Sequence, residues 1–514
     1  MSVPAAVTAG PGIRYRSARG RWVLFATVLG TSMAFLDATV VNIALPTIGE
    51  DLNAGLTELQ WTVNAYTLAL GGLLLLGGSL GDHFGRRRIF CVGAVWFAVA
   101  SLVCGIAPSA ETLIVARALQ GAGAAMLTPG SLALIEASFH RDDRGAAVGG
   151  WSGLGGIAGA LGPFVGGYLI QAASWRLIFL INLPIAAAVV WVARRHVPET
   201  RDESVRSSPL DLRGAAVTAL GLAAATYGLT AGLDRGWGSP IVIGFVIAGA
   251  AALVAFVLLE RGREGALVPL ELFSSRQFSS ANAVTFVVYA ALGGALFLLP
   301  IQLQRGAGYS PLESGAALVP MTIVMLLLSA RAGRLAQRIG PRLPMGLGPI
   351  IAGTGVALLS SVDQTSPYAS TVLPGVVVFA LGLSLTVAPL TSTVLSAGGE
   401  EHAGVSAAVN NAVARVAGLI AVAVIPAAAG ISATGAFDAA SFSDGFQRGM
   451  WIAAAVCAAG GVLAAATIRN PARTTGEQPT PCSSCPLDAP PLRAHEDGVQ
   501  TLHDPVETGL SRGS

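Results

Sequence analysis

The chain has 514 residues, of which 53% are apolar and 12% charged, with a formal net charge of +2. A water-soluble protein of this length needs a far more charged surface, so the composition excludes a soluble enzyme or a string of soluble domains. All 31 basic residues are arginine and gather mainly in short loops, and no nucleic-acid partner is expected.

Apolar runs of roughly 20 residues, the length that crosses ~30 Å of hydrocarbon, recur along nearly the whole chain. The first covers 22–45 and follows Arg14 to Arg21. That charge order imitates a signal peptide, but the run is too long, lacks a convincing cleavage site and precedes many others, so it reads as an uncleaved first helix. Further spans are predicted at 58–80, 89–107, 111–137, 145–170, 177–195, 213–233, 239–259, 278–303, 312–333, 343–361, 369–397, 403–432 and 446–468. The fold class is therefore an all-α polytopic membrane protein with about fourteen transmembrane helices. With a cytoplasmic N-terminus, the outer loops hold only Arg176, Arg235, Arg305 and Arg448, and about two dozen arginines fall inside. An odd helix count would spoil that asymmetry, so both termini are expected in the cytoplasm. Beyond Arg469 the chain lacks apolar periodicity and is expected to be disordered. Its Cys482-x-x-Cys485 has no second pair at zinc spacing, which makes a metal role weak; Cys91, Cys104 and Cys457 lie in apolar runs as small buried hydrophobes.

An internal repeat organises these helices. Gly78 to Arg87 is echoed by Gly333 to Arg342, and Ala122 to Leu132, through Pro129, by Gly382 to Ser392, through Pro389. The reading is a cytoplasmic N-terminus (1–21), a six-helix bundle (22–195), an inserted helix pair with flanking cytoplasmic loops (196–277), a second six-helix bundle (278–468) and the tail (469–514). Parallel six-helix repeats around a midplane site are a recurrent transporter plan.

The segment Gly78 to Arg88 resembles the loop signature of the major facilitator superfamily. The likeness implies a conformational latch on the inner side, made here by Gly81, Asp82, Gly85, Arg86 and Arg87. His83 stands where the family usually has Arg or Lys, so the latch is expected to be weaker or pH-sensitive, and the echo of Asp82 is Gln337. Leu36 to Pro46, which includes Asn42, and Trp175 to Pro184 resemble signatures of fourteen-span drug:proton antiporters of the EmrB/QacA type. Arg117 to Gly121 resembles the family's intramembrane arginine motif. Gly159, Gly162, Pro163, Gly166 and Gly167 resemble the antiporter motif of exporters, its glycines expected to flatten one face against the other half and Pro163 to kink the helix. Gly404, Asn410, Arg415 and Gly418 resemble that branch's thirteenth-helix pattern. Together these likenesses, from about residue 20 to 470, imply a major facilitator fold of two six-helix bundles plus two inserted helices.

Charges at membrane depth point to mechanism, since burying one requires a partner or a wet cavity. Asp37 lies roughly 8 Å from the outer face along the first helix, and Arg117 roughly 9 Å from the same face along the fourth. If the helices adjoin, as the family fold implies, the charges pair and a proton arriving at Asp37 breaks the pair; a purely architectural salt bridge is the competing reading. Gln120 shares the face of Arg117 as a relay, a substrate contact or interhelical glue. Arg415 is a second candidate without an identifiable acidic partner, and Asn42 joins it as a cavity residue. The function expected is proton-coupled export of amphipathic organic compounds, with proton-coupled import as the alternative. A membrane enzyme or sensor would need a catalytic constellation or soluble domain, and neither is visible. Protons, a small organic substrate and the bilayer are the expected partners; no cofactor, metal or ATP is.

Overall fold

Fourteen helices long and apolar enough to cross a membrane dominate the computed structural model, which describes residues 12–201, 211–261, 270–399, 403–431 and 439–470. The expected tail and its cysteine pair lie outside the described residues, apart from Arg469 and Asn470. The first half comprises α1 (Ala18–Asp51), α2 (Leu56–Phe84), α3 (Arg86–Gly105), α4 (Ala110–Ser138), α5 (Arg141–Ala172) and α6 (Leu177–His196). Next come α7 (Leu212–Gly232) and α8 (Pro240–Glu260). The second half comprises α9 (Arg276–Gly306), α10 (Pro311–Ile339), α11 (Arg342–Leu359), α12 (Tyr368–Gly398), α13 (Val405–Ala428) and α14 (Phe442–Thr467).

Most of these helices outrun the apolar segments that announce them. Hydropathy registers only the part inside hydrocarbon, while caps carry the helix on into the interface. Thus Ser17 accepts from the Gly20 amide before α1, and Ser109 from Thr112 before α4. Before α10, Ser310 and Glu313 form a reciprocal capping box with Pro311 in the first turn.

The helices that carry the sequence echoes pack in the same way on their neighbours, though not through matched residues. A methyl on Gly123 of α4 would meet the Phe97 backbone of α3 at 2.8 Å, and one on Gly382 of α12 would strike the Ala352 backbone of α11. Gly85 and Gly340 both turn the chain with positive φ, 108° and 89°, into the following helix. In each case the next turn is held from afar: the Arg87 amide donates to Glu199 at 3.0 Å and the Arg342 amide to Asn470 at 3.1 Å.

The inserted pair packs on itself through small residues and rings, with Gly221 over Ala252 and Tyr227 against Phe245 at 4.6 Å between centroids. Helix α7 then leans on α2 of the first half, Gly72 against Ala219, and on α13 of the second.

The two halves meet unequally at the two ends of the bundle. At the distal end, where α1 finishes, Arg305 of α9 donates to the Pro46 carbonyl at 3.0 Å and ion-pairs with Glu50 at 3.1 Å. Gln304 donates to the Ile43 carbonyl at 2.8 Å, and Gln60 of α2 to the Val422 carbonyl of α13 at 2.8 Å. Helix α5 shows where this contact stops. Positions 145, 149, 153, 156, 163 and 167 form one stripe at helical spacing. Methyls on Gly145, Gly149, Gly153 or Gly156 would meet nothing within 4 Å, whereas one on Gly167 would meet the Pro311 carbonyl and the Leu312 Cα. Conversely, a methyl on Gly315 of α10 would strike the Pro163 backbone. The halves are thus closed at the distal end and parted along α5 at the proximal end, where α1 begins.

Candidate functional site

The charges matched by depth in the sequence are in contact. Asp37 of α1 and Arg117 of α4 are each 1% exposed and form an ion pair through Asp37 Oδ2 and Arg117 Nη1. Four further donors and acceptors surround the pair. Gln120 Nε2 donates to Asp37 Oδ1 at 2.8 Å, while Gln120 Oε1 accepts from Arg117 Nη1 at 2.6 Å, so this amide closes a ring with both charges. Asn182 of α6 donates to Asp37 Oδ1 at 3.4 Å. Ser101 Oγ of α3 accepts from Gln120 at 2.8 Å and Asn182 at 3.4 Å. Arg117 Nε donates to the Thr62 carbonyl of α2 at 3.1 Å.

Five helices of the first half therefore converge on this cluster, and the local sequence explains how they approach. Gly121, next to Gln120, lies against the Tyr66 carbonyl and the Ala69 methyl of α2, closer than any side chain would allow. Tyr66 lies beneath the guanidinium, its ring centroid 4.3 Å from Arg117 Cζ, and its hydroxyl donates to the Ala34 carbonyl at 3.0 Å. Phe179 covers another side at 5.7 Å. Every hydrogen bond reaching Asp37 is donated to it, as suits an acceptor-only carboxylate.

Of the expected site residues, Asp37, Arg117 and Gln120 are brought together. Asn42 is not part of that cluster. It lines a cavity of ≈ 60 Å³ between the halves, with Thr39, Pro163, Pro300 and Met321, and its buried Oδ1 has no partner there. Arg415 lies midway along α13, its Cβ 3.5 Å from the place a methyl on Gly71 of α2 would take, and no acid among the described residues pairs with it. Ser101, Asn182 and the Thr62 carbonyl escaped the sequence reading, although Asn182 falls within the Trp175 to Pro184 stretch. That stretch also anchors the distal end: Trp175 and Arg176 both donate to Asp51, at 2.9 and 2.6 Å.

The antiporter-motif residues divide between two faces, which corrects the expectation of a single face against the other half. Gly159, Gly162 and Gly166 pack on α1 of their own half, against Phe35, Thr39 and Val40. Pro163 and Gly167, on the adjacent stripe, make the contact with α10. The division follows from the 100° turn per residue, which parts 162 and 166 from 163 and 167.

The expected latch is tied within the first half in this state. Arg86 binds Asp82 Oδ1 through Nε and Nη2, both at 2.8 Å, and Arg87 reaches Glu199 and the Val197 carbonyl. A side chain on Gly85 would collide with Glu199, and Gly81 lies over Arg86. His83 Nδ1 meets the Ser79 carbonyl at 2.9 Å. The echo residue Gln337 is exposed. No His, Cys, Asp or Glu group suited to a metal occurs among the described residues.

A model of the Major Facilitator Superfamily matches residues 27–422. The chain is 37% identical over 408 residues to the puromycin resistance protein of Streptomyces alboniger, covering 79% of this chain and 80% of that one. It is 34% identical to the methylenomycin A resistance protein of Bacillus subtilis (81% and 89% covered) and 33% identical to the tetracenomycin C resistance and export protein of Streptomyces glaucescens (79% and 76%). Among solved structures, it resembles the peptide transporter POT in complex with sulfate (TM-score 0.62, 14% identity, 88% and 96% covered). It also resembles the human organic anion transporter TETRAN (TM-score 0.58, 17%, 87% and 100%). At such identities these structures speak for the fold alone.

Proposed function

The chain belongs to the major facilitator superfamily, and on that premise we propose that it exports amphipathic organic compounds of the antibiotic kind in exchange for protons. The observation that carries this reading is the buried Asp37–Arg117–Gln120 ring, an acid whose protonation would cancel the charge that pairs with Arg117 inside the membrane. Asp37 is the proton-coupling carboxylate and Arg117 its counter-charge. Gln120, Asn182 and Ser101 hold the carboxylate in register while the proton is absent.

The transport cycle proposed is alternating access. The proximal end is cytoplasmic, in keeping with the arginine bias, and the present arrangement is inward-open. Substrate enters beside the parted stripe of α5 and meets Asn42 and Arg415 between the halves. Outward opening separates Gly167 from Pro311 and releases the Gln60 and Arg305 contacts. The latch residues around Asp82 then secure the proximal end against the second half. The relatives' resistance to puromycin, methylenomycin and tetracenomycin favours an exported organic compound over an imported nutrient. The drive is a proton gradient and not ATP, since the phosphate-binding loop of ATPases needs a lysine and the chain has none.

Everted vesicles test the proposal. With an acidified lumen, vesicles carrying the protein should accumulate compounds such as puromycin and lose the accumulation when a protonophore is added. Accumulation that survives the protonophore, or none for any member of a panel of such antibiotics, would contradict it.

A further inference from the structure

We propose that the groove between α3 and α6 holds one anionic glycerophospholipid from the leaflet on the proximal side. The groove is a shallow, open trough of ≈ 690 Å³. Its α6 wall uses positions 183, 186, 187, 190, 191 and 194, a single helical stripe. Leu183 and Arg194 are eleven residues apart, so the wall runs for roughly 16 Å. That is the depth of one leaflet, about half of a ~30 Å hydrocarbon slab. Ala98, Ala186 and Ala187 make a low floor, between the exposed side chains of Val99 and Trp191. A fatty chain fits such a trough along its whole length.

The polar end supplies the headgroup chemistry. Arg194 and Arg195 line that end and are both exposed. The nearest acid in sequence, Glu199, is engaged by Arg87, and no carboxylate among the described residues pairs with either arginine. Arg195 lies 5.9 Å from the Trp191 ring, an indole at the depth where such rings mark the membrane interface. Two unpaired guanidiniums at the end of an acyl-length trough suit a phosphate diester, which each can grip through two N–H groups. A headgroup with net negative charge gains from both arginines, while a zwitterionic one brings an ammonium that they repel.

Occupancy of the groove bears on the buried charges as well. Its two walls are the helices that carry Ser101 and Asn182, and Leu183 follows Asn182 directly. The lipid assignment itself does not depend on the transport reading, because binding is measured without any substrate.

Native mass spectrometry of the full chain in detergent, titrated with phosphatidylglycerol and phosphatidylethanolamine of identical acyl chains, tests it. One phosphatidylglycerol per chain should be retained in preference to phosphatidylethanolamine. Arg194→Gln with Arg195→Gln should weaken phosphatidylglycerol binding roughly tenfold and leave phosphatidylethanolamine unchanged. Ala187→Trp, which keeps both arginines but fills the trough, should remove the retained lipid, and an unaltered thermal midpoint of either variant shows that the fold persists. Equal retention of the two lipids by the native chain would overturn the proposal. So would an undiminished preference in both variants, or displacement by glycerol 3-phosphate, which has the phosphate but no chain.

Discussion

Asp37 and Arg117 were legible in the sequence because a charge at membrane depth demands a reason, and because helix rise alone puts the two at one level. What the sequence withheld were the uncharged members. Ser101 and Asn182 look like any polar residue in a packed span, and the Thr62 carbonyl has no side-chain signal at all. Their roles arise from which helices adjoin. The ring geometry predicts an order of severity. Asp37→Asn keeps the size of the group and should retain substrate binding while losing concentrative export. Arg117→Ala should be worse, because a carboxylate at 1% exposure is left without its counter-charge, a defect of about 3–5 kcal/mol. It should appear as lowered yield and a lowered thermal midpoint, and an Arg117→Ala chain as stable as Asp37→Asn would remove the counter-charge role. Asn182→Ala, which deletes one long donor to Asp37 and spares the ring with Gln120, should keep export but shift its pH profile. A profile identical to the native one would make Asn182 packing only.

At the scale of elements, the helices could be read from run length, since hydrocarbon thickness fixes how many apolar residues a span needs. The two-faced character of α5 could not, because a glycine run records close approach but not which neighbour approaches. The two faces predict different failures. Gly162→Leu collides with Thr39 inside the first half and should lower stability by about 1–3 kcal/mol, seen as a lower thermal midpoint. Gly149→Leu faces the parted proximal cleft and meets nothing in this state. It should leave the midpoint unchanged yet reduce export by obstructing closure of that end. Full export by Gly149→Leu would mean that this stripe never meets the second half.

For the whole molecule, the repeat offset carried the two-bundle plan, and the positive-φ pair Gly85 and Gly340 is its physical trace. The state of the machine was not legible, because inward- and outward-open forms share one sequence and differ by small energies. In this arrangement Asp82 is tied to Arg86 and Glu199 to Arg87, so under the proposed cycle the latch would act in the opposite state. Asp82→Asn should insert and bind normally but export less. The central claim is that proton exchange for substrate runs through Asp37, and proton release from purified protein in weakly buffered detergent measures it most directly. Adding a transported compound should release protons from the native chain and none from Asp37→Asn. Equal release from the two would contradict the account and move the coupling site elsewhere.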